Sequence, residues 1–356
     1  MTCVRRPVRT ITIIACICAV VHAPAADLEE MTAPEGFDEG VFLGEEGLYD
    51  SVLSVSGNGE ADALETSNAE FETLADLPTV VMMETAAQNL NGCEWVRNIH
   101  ARRGEFVLIT DRLRARAPGE YTVGSDWTPP AEGELRLEND RLLVMEREDP
   151  DAPGRRLLIR TDGAFNATLV DGADDGDDAV ALSLRFSGEL EQDDTLALHT
   201  LFYEDTDAES GEWDLRRISD EAVLILRDEE PDTVVVMGEE ADIPGQARMR
   251  MGAFTRSSIW AADMTDLRDI LRTEQPIHGE VRSAPTTHAT VIGPEDLKTI
   301  SVVGMPLMLE GGRLEMDLAG LGDISAGIVE LETLFDSFVE RAIEPPRAEL
   351  TPEAPA

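Results

Sequence analysis

Six arginines (Arg97, Arg102, Arg103, Arg112, Arg114 and Arg116) stand between Trp95 and Gly119 against two acids, Glu105 and Asp111. That local balance of six minus two, +4, sits in a chain of formal net charge −43. Planar guanidinium forks match carboxylate and sulfate groups two bonds at a time. Trp95, Tyr121 and Trp127 carry flat faces able to stack on sugar rings, and His100 adds one imidazole. These types in this stretch define a candidate ligand-binding set: Trp95, Arg97, His100, Arg102, Arg103, Arg112, Tyr121 and Trp127. The chemistry they fit is recognition of an acidic polysaccharide. A plainer assignment stays open beside it. The arginines would pair with acids at strand ends, where exposed pairs contribute little. His100 would be a hydrogen-bonded structural residue and the tryptophans core.

No other constellation competes. A G-x-S-x-G elbow is missing, and no histidine lies in an H-x-H or H-E-x-x-H arrangement, so nothing local argues for nucleophilic or zinc chemistry. With 72 acidic residues, any carboxylate pair is uninformative as a glycosidase signature. Asp171, Asp174, Asp175, Asp177 and Asp178 crowd one turn, as Asp205, Asp207 and Glu209 crowd another. An EF-hand frame on Gly176 puts Ala173 and Leu182 at ligand positions and fails. A calcium loop of another kind and a solvated acidic hairpin both remain open. Otherwise no cofactor is implied.

Charge excludes partner classes. A balance this negative rules against a nucleic-acid footprint and against anionic membrane surfaces. Lys298 is the one lysine beside 28 arginines, 29 basic residues less one, and the acid excess reads as salt adaptation.

The N-terminus reads as an export signal over 1–25: Arg5, Arg6 and Arg9, then an apolar run from Ile11 to Val21, then Ala23-Pro24-Ala25. The run is about half the length that spans a bilayer, so no membrane span is expected. Export to the periplasm or the medium follows. Ile13-Ile14-Ala15-Cys16 as a degenerate lipobox is the weaker reading. Cleavage would leave Cys93 as the one cysteine and exclude a disulfide framework.

These residues must be positioned by strands. Trp95, Arg97 and Ile99 fall on one face of an extended segment, with Val96, Asn98 and His100 on the other. Arg103-Gly104 marks a turn, and Phe106 to Ile109 is apolar on both faces, as in a doubly covered strand. Pro118-Gly119 turns the chain into Tyr121, Val123 and Trp127. Leu135–Leu137 and Leu142–Met145 flank a hairpin turn. Period-two runs follow at Val180–Phe186, Leu196–Phe202 and Ala247–Ala253, with continuous apolar runs at Val223–Leu226 and Val234–Met237. Further strands are expected at Ile300–Val303 and Leu307–Leu318. The fold class is therefore all-β, an antiparallel β-sandwich with two short helical appendages. These are Met264–Arg272 and an amphipathic helix over Ser325–Ile343. The expected division is signal 1–25, acidic leader 26–50, sandwich 51–320, helix 321–343, and a disordered Pro-rich tail 344–356.

The order W-x-R-x-I, R-G-x-F-V-x-I-x-D-R-L-x-A, then P-G-x-Y-T and a Trp, resembles the C-terminal β-sandwich module of heparinase II/III-type polysaccharide lyases. Leu201-Phe202-Tyr203, Trp213-Asp214-Leu215-Arg216-Arg217 and Glu230-Pro231 before Val234-Val235-Val236 are similar to the second half of that module. The likeness runs over roughly residues 50–255. It implies a super-sandwich and a link to uronic-acid glycans. In those lyases a large α/α toroid precedes the sandwich; here a signal and short leader do, so the toroid is expected to be absent. The resemblance then implies a non-catalytic module that binds or scaffolds acidic carbohydrate or docks onto a catalytic partner subunit. The alternative is a polysaccharide lyase, or lyase subunit, acting on uronic-acid glycans.

Overall fold

The computed structural model describes residues 51–343 except 58–59, 66–70, 128–133, 140, 147–155, 163–164, 172–179, 206–211, 242–247, 266–273, 283–287, 303–304 and 318–324. The signal, leader and tail readings, both acidic loops and most of the Met264–Arg272 helix lie outside the described residues.

In chain order the first strands are β1 (Ser51–Gly57), β2 (Glu60–Glu65), β3 (Glu72–Asp76), β4 (Val80–Leu90), β5 (Cys93–Arg102), β6 (Phe106–Ala115) and β7 (Gly119–Trp127). There follow β8 (Glu134–Leu137), β9 (Leu142–Glu146), β10 (Arg156–Thr161), β11 (Asn166–Asp171), β12 (Val180–Leu190) and β13 (Thr195–Asp205). The second half holds β14 (Trp213–Ser219), β15 (Ala222–Arg227), β16 (Glu230–Met237), β17 (Met251–Phe254), β18 (Ser258–Ala262) and β19 (His278–Arg282). Last come β20 (His288–Ile292), β21 (Thr299–Val302), β22 (Met305–Met308), β23 (Arg313–Asp317) and the helix α1 (Ser325–Ile343).

A five-stranded sheet has the order β11-β12-β7-β1-β2, and an eight-stranded middle sheet β3-β4-β5-β6-β13-β10-β9-β8. An eight-stranded outer sheet runs β14-β15-β16-β17-β18-β19-β20-β23, and β21-β22 form a separate hairpin. The sheets are antiparallel and none closes into a barrel. The all-β, antiparallel expectation holds: among the described residues three stacked sheets, the hairpin and a helix make up the fold.

Side-chain alternation assigns each face. On β5, Trp95 and Ile99 enter the core against the five-stranded sheet, where Val55, Tyr121, Val123 and Trp127 meet them. One residue on, the side chains point the other way. Phe106, Leu108, Leu201 and Tyr203 of the middle sheet pack on Trp213, Val223, Ile225, Val235 and Trp260 of the outer sheet. The far face of the outer sheet, with Leu224, Val234, Val236 and Phe254, receives Phe335, Phe338 and Val339 of α1. A sheet covered on both sides needs strands apolar on both faces, which is why Phe106–Ile109 and Ala222–Leu226 are buried residue after residue. Each such side chain contributes about 1.5–3 kcal/mol by leaving water.

Two expected strands divide. Met249 packs in the core under α1, whereas Met251 and Ala253 lie in the seam between the eight-stranded sheets. The break falls at Arg250, whose side chain crosses to Glu84. The expected Leu307–Leu318 strand turns at Gly311-Gly312, both at positive φ, so β22 pairs with β21 and β23 with β20.

Candidate functional site

The arginine island is distributed over three environments, and each of its arginines meets a carboxylate. Arg97 is fully buried in the core against the five-stranded sheet. Its Nε and Nη2 donate to Asp111 Oδ1 and Oδ2 at 2.7 and 2.8 Å. Trp95 Nε1 donates to the same Oδ1 at 2.9 Å. The guanidinium carbon stands 4.9 Å from the Trp127 ring centre and 5.5 Å from that of Trp95. Alternation puts Arg97 there, and the β5–β6 register puts Asp111 directly opposite.

Arg102 and Arg112 point to the opposite face and cross the seam between the two eight-stranded sheets. Arg102 Nη1 donates to Asp232 Oδ2 at 2.6 Å and Thr233 Oγ1 at 3.0 Å, and its guanidinium lies 5.8 Å from the Trp260 ring centre. Arg112 donates to Glu221 Oε1 at 2.8 Å and to Asn98 Oδ1 at 3.1 Å. Arg103 reaches Asp76 at 2.5 Å beside the middle sheet's β3. Arg114 and Arg116 make exposed pairs with Asp193 and Glu94 at 2.7 and 2.9 Å.

The structure therefore does not assemble the eight candidate residues on one surface. Trp95, Arg97, Tyr121 and Trp127 are core residues of the first interface, and His100 is buried in the second. Only Arg102, Arg103 and Arg112 retain partial exposure, on different partners. Burial is the reason: a ring at 0–1 % exposure has no free face to offer a sugar. Tyr121 is held from both ends, its hydroxyl donating to the Ala117 carbonyl at 2.9 Å while its ring fills the space above Gly57.

Sequence reasoning missed a denser cluster at the seam. Around Arg102 gather Glu105, Asp232, Glu280, Arg227 and Arg282. Thr79 donates to Glu280 Oε1 at 3.0 Å and accepts from Trp260 Nε1 at 3.0 Å. Burial raises the Glu105 carboxyl above its usual range, and neighbouring Asp232 adds to this while Arg102, Arg227 and Arg282 oppose it. His100 is wholly buried, packs against Phe106 at 5.9 Å, and hydrogen-bonds through neither ring nitrogen. Burial, with Arg102 adding, lowers its pKa to about 3.

The rest of the seam is bolted from both sides. Arg141 of the middle sheet's β8–β9 turn reaches Asp214 and the Leu215 carbonyl at 3.2 and 2.9 Å, and Arg160 pairs with Glu212. In the other direction Arg217 grips Asp162 at 2.7 Å, and Arg250 holds Glu84 and Glu72. Near Arg217, His199 shares a 3.0 Å hydrogen bond with Thr110, and burial lowers its pKa to about 4. The partners of these arginines are 52 to 178 residues away in the chain, so no local pattern could announce them.

Chemically, the seam holds neutral imidazoles, a carboxyl raised by burial and paired arginine forks. Among the described residues no three His, Cys, Asp or Glu side chains stand where a metal ion could be held, and no helix is long and apolar enough to cross a membrane. Cys93 is free and buried, its thiol pushed up by desolvation.

No family model and no curated protein matches the chain. Among solved structures there is distant similarity to heparan sulfate lyase HepC from Pedobacter heparinus. It has 10% identity and a TM-score of 0.38 over 52% of this chain and 30% of that one. The heparinase III BT4657 gene product gives 12% and 0.38 over 50% and 28%. The Slr1438 protein from Synechocystis sp. PCC 6803 gives 11% and 0.28 over 43% and 73%. The chain spans about 30% of the length of the heparinase structures. The shared feature is β-sheet architecture over part of the chain, and nothing about activity follows from it.

Proposed function

We propose that this chain is an exported, non-catalytic β-sandwich module that scaffolds a polysaccharide-handling assembly by docking onto a partner carrying the catalytic domain. The observation that carries this reading is the internal commitment of the arginine island. All six of its arginines are ion-paired within the chain. A fork already closed on a carboxylate joins elements of the fold and offers little to a second anion. The carbohydrate theme is supported by the sequence motifs from Trp95 to Trp127 and from Leu201 to Val236, and export by the composition of residues 1–25.

Incubation of the purified protein with uronans and sulfated glycans tests the proposal, followed by the ultraviolet band of unsaturated uronate and by affinity electrophoresis. The expected result is no product and unchanged mobility. Sustained product release would overturn the non-catalytic reading. Strong retardation lost in an R114A/R116A variant would replace docking by direct glycan binding through the island's two exposed arginines.

A second reading, a lyase acting on uronic-acid glycans, is favoured by Glu105 at the Arg102 seam. Its carboxyl, 26% exposed and raised by burial, lies beside Arg102, Arg227 and Arg282, whereas His100 is wholly enclosed. The same absorbance experiment separates the two, with E105Q abolishing any product on the lyase reading.

A further inference from the structure

We propose that the seam between the two eight-stranded sheets is an acid-operated joint, which loosens while the sandwich of the middle and five-stranded sheets stays closed. The argument starts from His100. It is wholly enclosed and neither ring nitrogen has a hydrogen-bond partner, so nothing compensates a charge on it. Its strand neighbours across β4 and β6 are Met82 and Leu108, and Phe106 packs on the ring. The charged group acting on it is Arg102, itself tied to Asp232 and Glu105, so a proton on His100 meets a like charge.

His199 lies on the same face of the same sheet, two strands away and also fully buried. Facing it are Asp162, which favours its cation, and Arg217 and Arg112, which oppose it. Asp220 and Glu221 of the outer sheet hold those arginines in turn. Both imidazoles therefore point into one interface. The interface against the five-stranded sheet contains no histidine among its described core residues.

The direction follows from linkage. Exposed histidine takes up its proton near pH 6.5, whereas these two resist until about 3 and about 4. Through these two histidines the closed seam is favoured above pH 6.5 and loses stability as pH falls from there toward 4. The carboxyls of Glu105 and Asp220, raised by burial, act in the opposite sense as they protonate. Each histidine raises the opening constant by at most about tenfold per pH unit.

The four tryptophans report the two interfaces separately: Trp95 and Trp127 belong to one core, Trp213 and Trp260 to the other. Acrylamide quenching of W95F/W127F and of W213F/W260F is followed through urea titrations at pH 7, 5.5 and 4. The midpoint reported by Trp213 and Trp260 falls steeply toward pH 4, and the one reported by Trp95 and Trp127 moves much less. H100L flattens the first dependence. Parallel movement of both midpoints, or a fall in H100L as steep as in the parent, overturns the joint. Hydrogen exchange of the unsubstituted protein, corrected for intrinsic rates, provides the same comparison if the paired variants do not fold. Protection lost first in β14–β16 supports the proposal, and loss at equal pH in β1 and β7 sinks it.

Discussion

The guanidinium of Arg97 closes a two-point fork on the carboxylate of Asp111, directly across the β5–β6 ladder, with neither side chain reaching solvent. Desolvating two ions is offset here by short bonds and by the Trp95 N–H, which supplies a third donor to the same carboxylate. Flanking tryptophan faces add cation–π attraction. Such a pair contributes less to stability than its geometry implies, because the attraction first has to repay desolvation.

Breaking it from one side is a different matter. D111A leaves a buried guanidinium without its partner and is expected to lower unfolding free energy by about 3–5 kcal/mol in urea titration. The double replacement R97M/D111L removes both charges at similar volume and should recover most of that loss. A double variant as unstable as D111A would show that the pair does more than neutralise itself.

Arg112 and Arg114 sit two residues apart on β6 and invite a matched comparison. Arg112 bridges the seam to Glu221 and also holds Asn98 of neighbouring β5, with 14% of its side chain exposed, while Arg114 pairs with Asp193 at 55%. R112A strands partly buried acceptors and is expected to cost about 1–3 kcal/mol. R114A should change stability by less than about 1 kcal/mol. Equal effects in thermal or urea unfolding would contradict the role assigned to Arg112 as a bolt between sheets.

These contrasts explain what could be read from the sequence and what could not. Alternation along Trp95–His100 placed each side chain on its correct face, and the apolar run Phe106–Ile109 announced a doubly covered strand, because both signals are local. Besides Glu105 three residues on, Arg102 takes Asp232, 130 residues on, chosen by sheet stacking from among 72 acids. Local counting therefore saw an excess of positive charge where the fold has balance. The same locality hid Arg250, which interrupts the expected Ala247–Ala253 strand to reach Glu84. Likewise Trp95, Tyr121 and Trp127 looked like binding platforms because aromatic type says nothing about which side of a sheet is later covered.

Tyr121 supplies a prediction about close approach. A Cβ on Gly57 would stand 2.8 Å from two carbons of the Tyr121 ring, closer than carbon atoms pack, and the ring is fixed by its hydroxyl bond to the Ala117 carbonyl. G57A is expected to lose about 1–3 kcal/mol by overpacking. Y121L opens that space, so adding G57A to Y121L should cost much less than adding it to the parent. Additive losses in the four-variant cycle would mean that the ring is not what restricts position 57.

His278 gives a pH dependence away from the proposed joint's two histidines. Its Nδ1 accepts the Asp263 backbone N–H at 3.0 Å, which commits that nitrogen to the neutral ring. Burial lowers its pKa to about 4, with Asp263 opposing the shift. A histidine that stays neutral in the fold and charges on unfolding near pH 6.5 gives stability that is complete above 6.5 and is lost as pH falls toward 4. The full loss from this one group is about 3 kcal/mol. Imidazole proton resonances followed by NMR should show His278 neutral at pH 5.5, and H278Q should flatten the pH dependence of unfolding between 6.5 and 4. A resonance titrating near 6.5 in the folded protein would mean that the Asp263 contact does not hold the ring neutral.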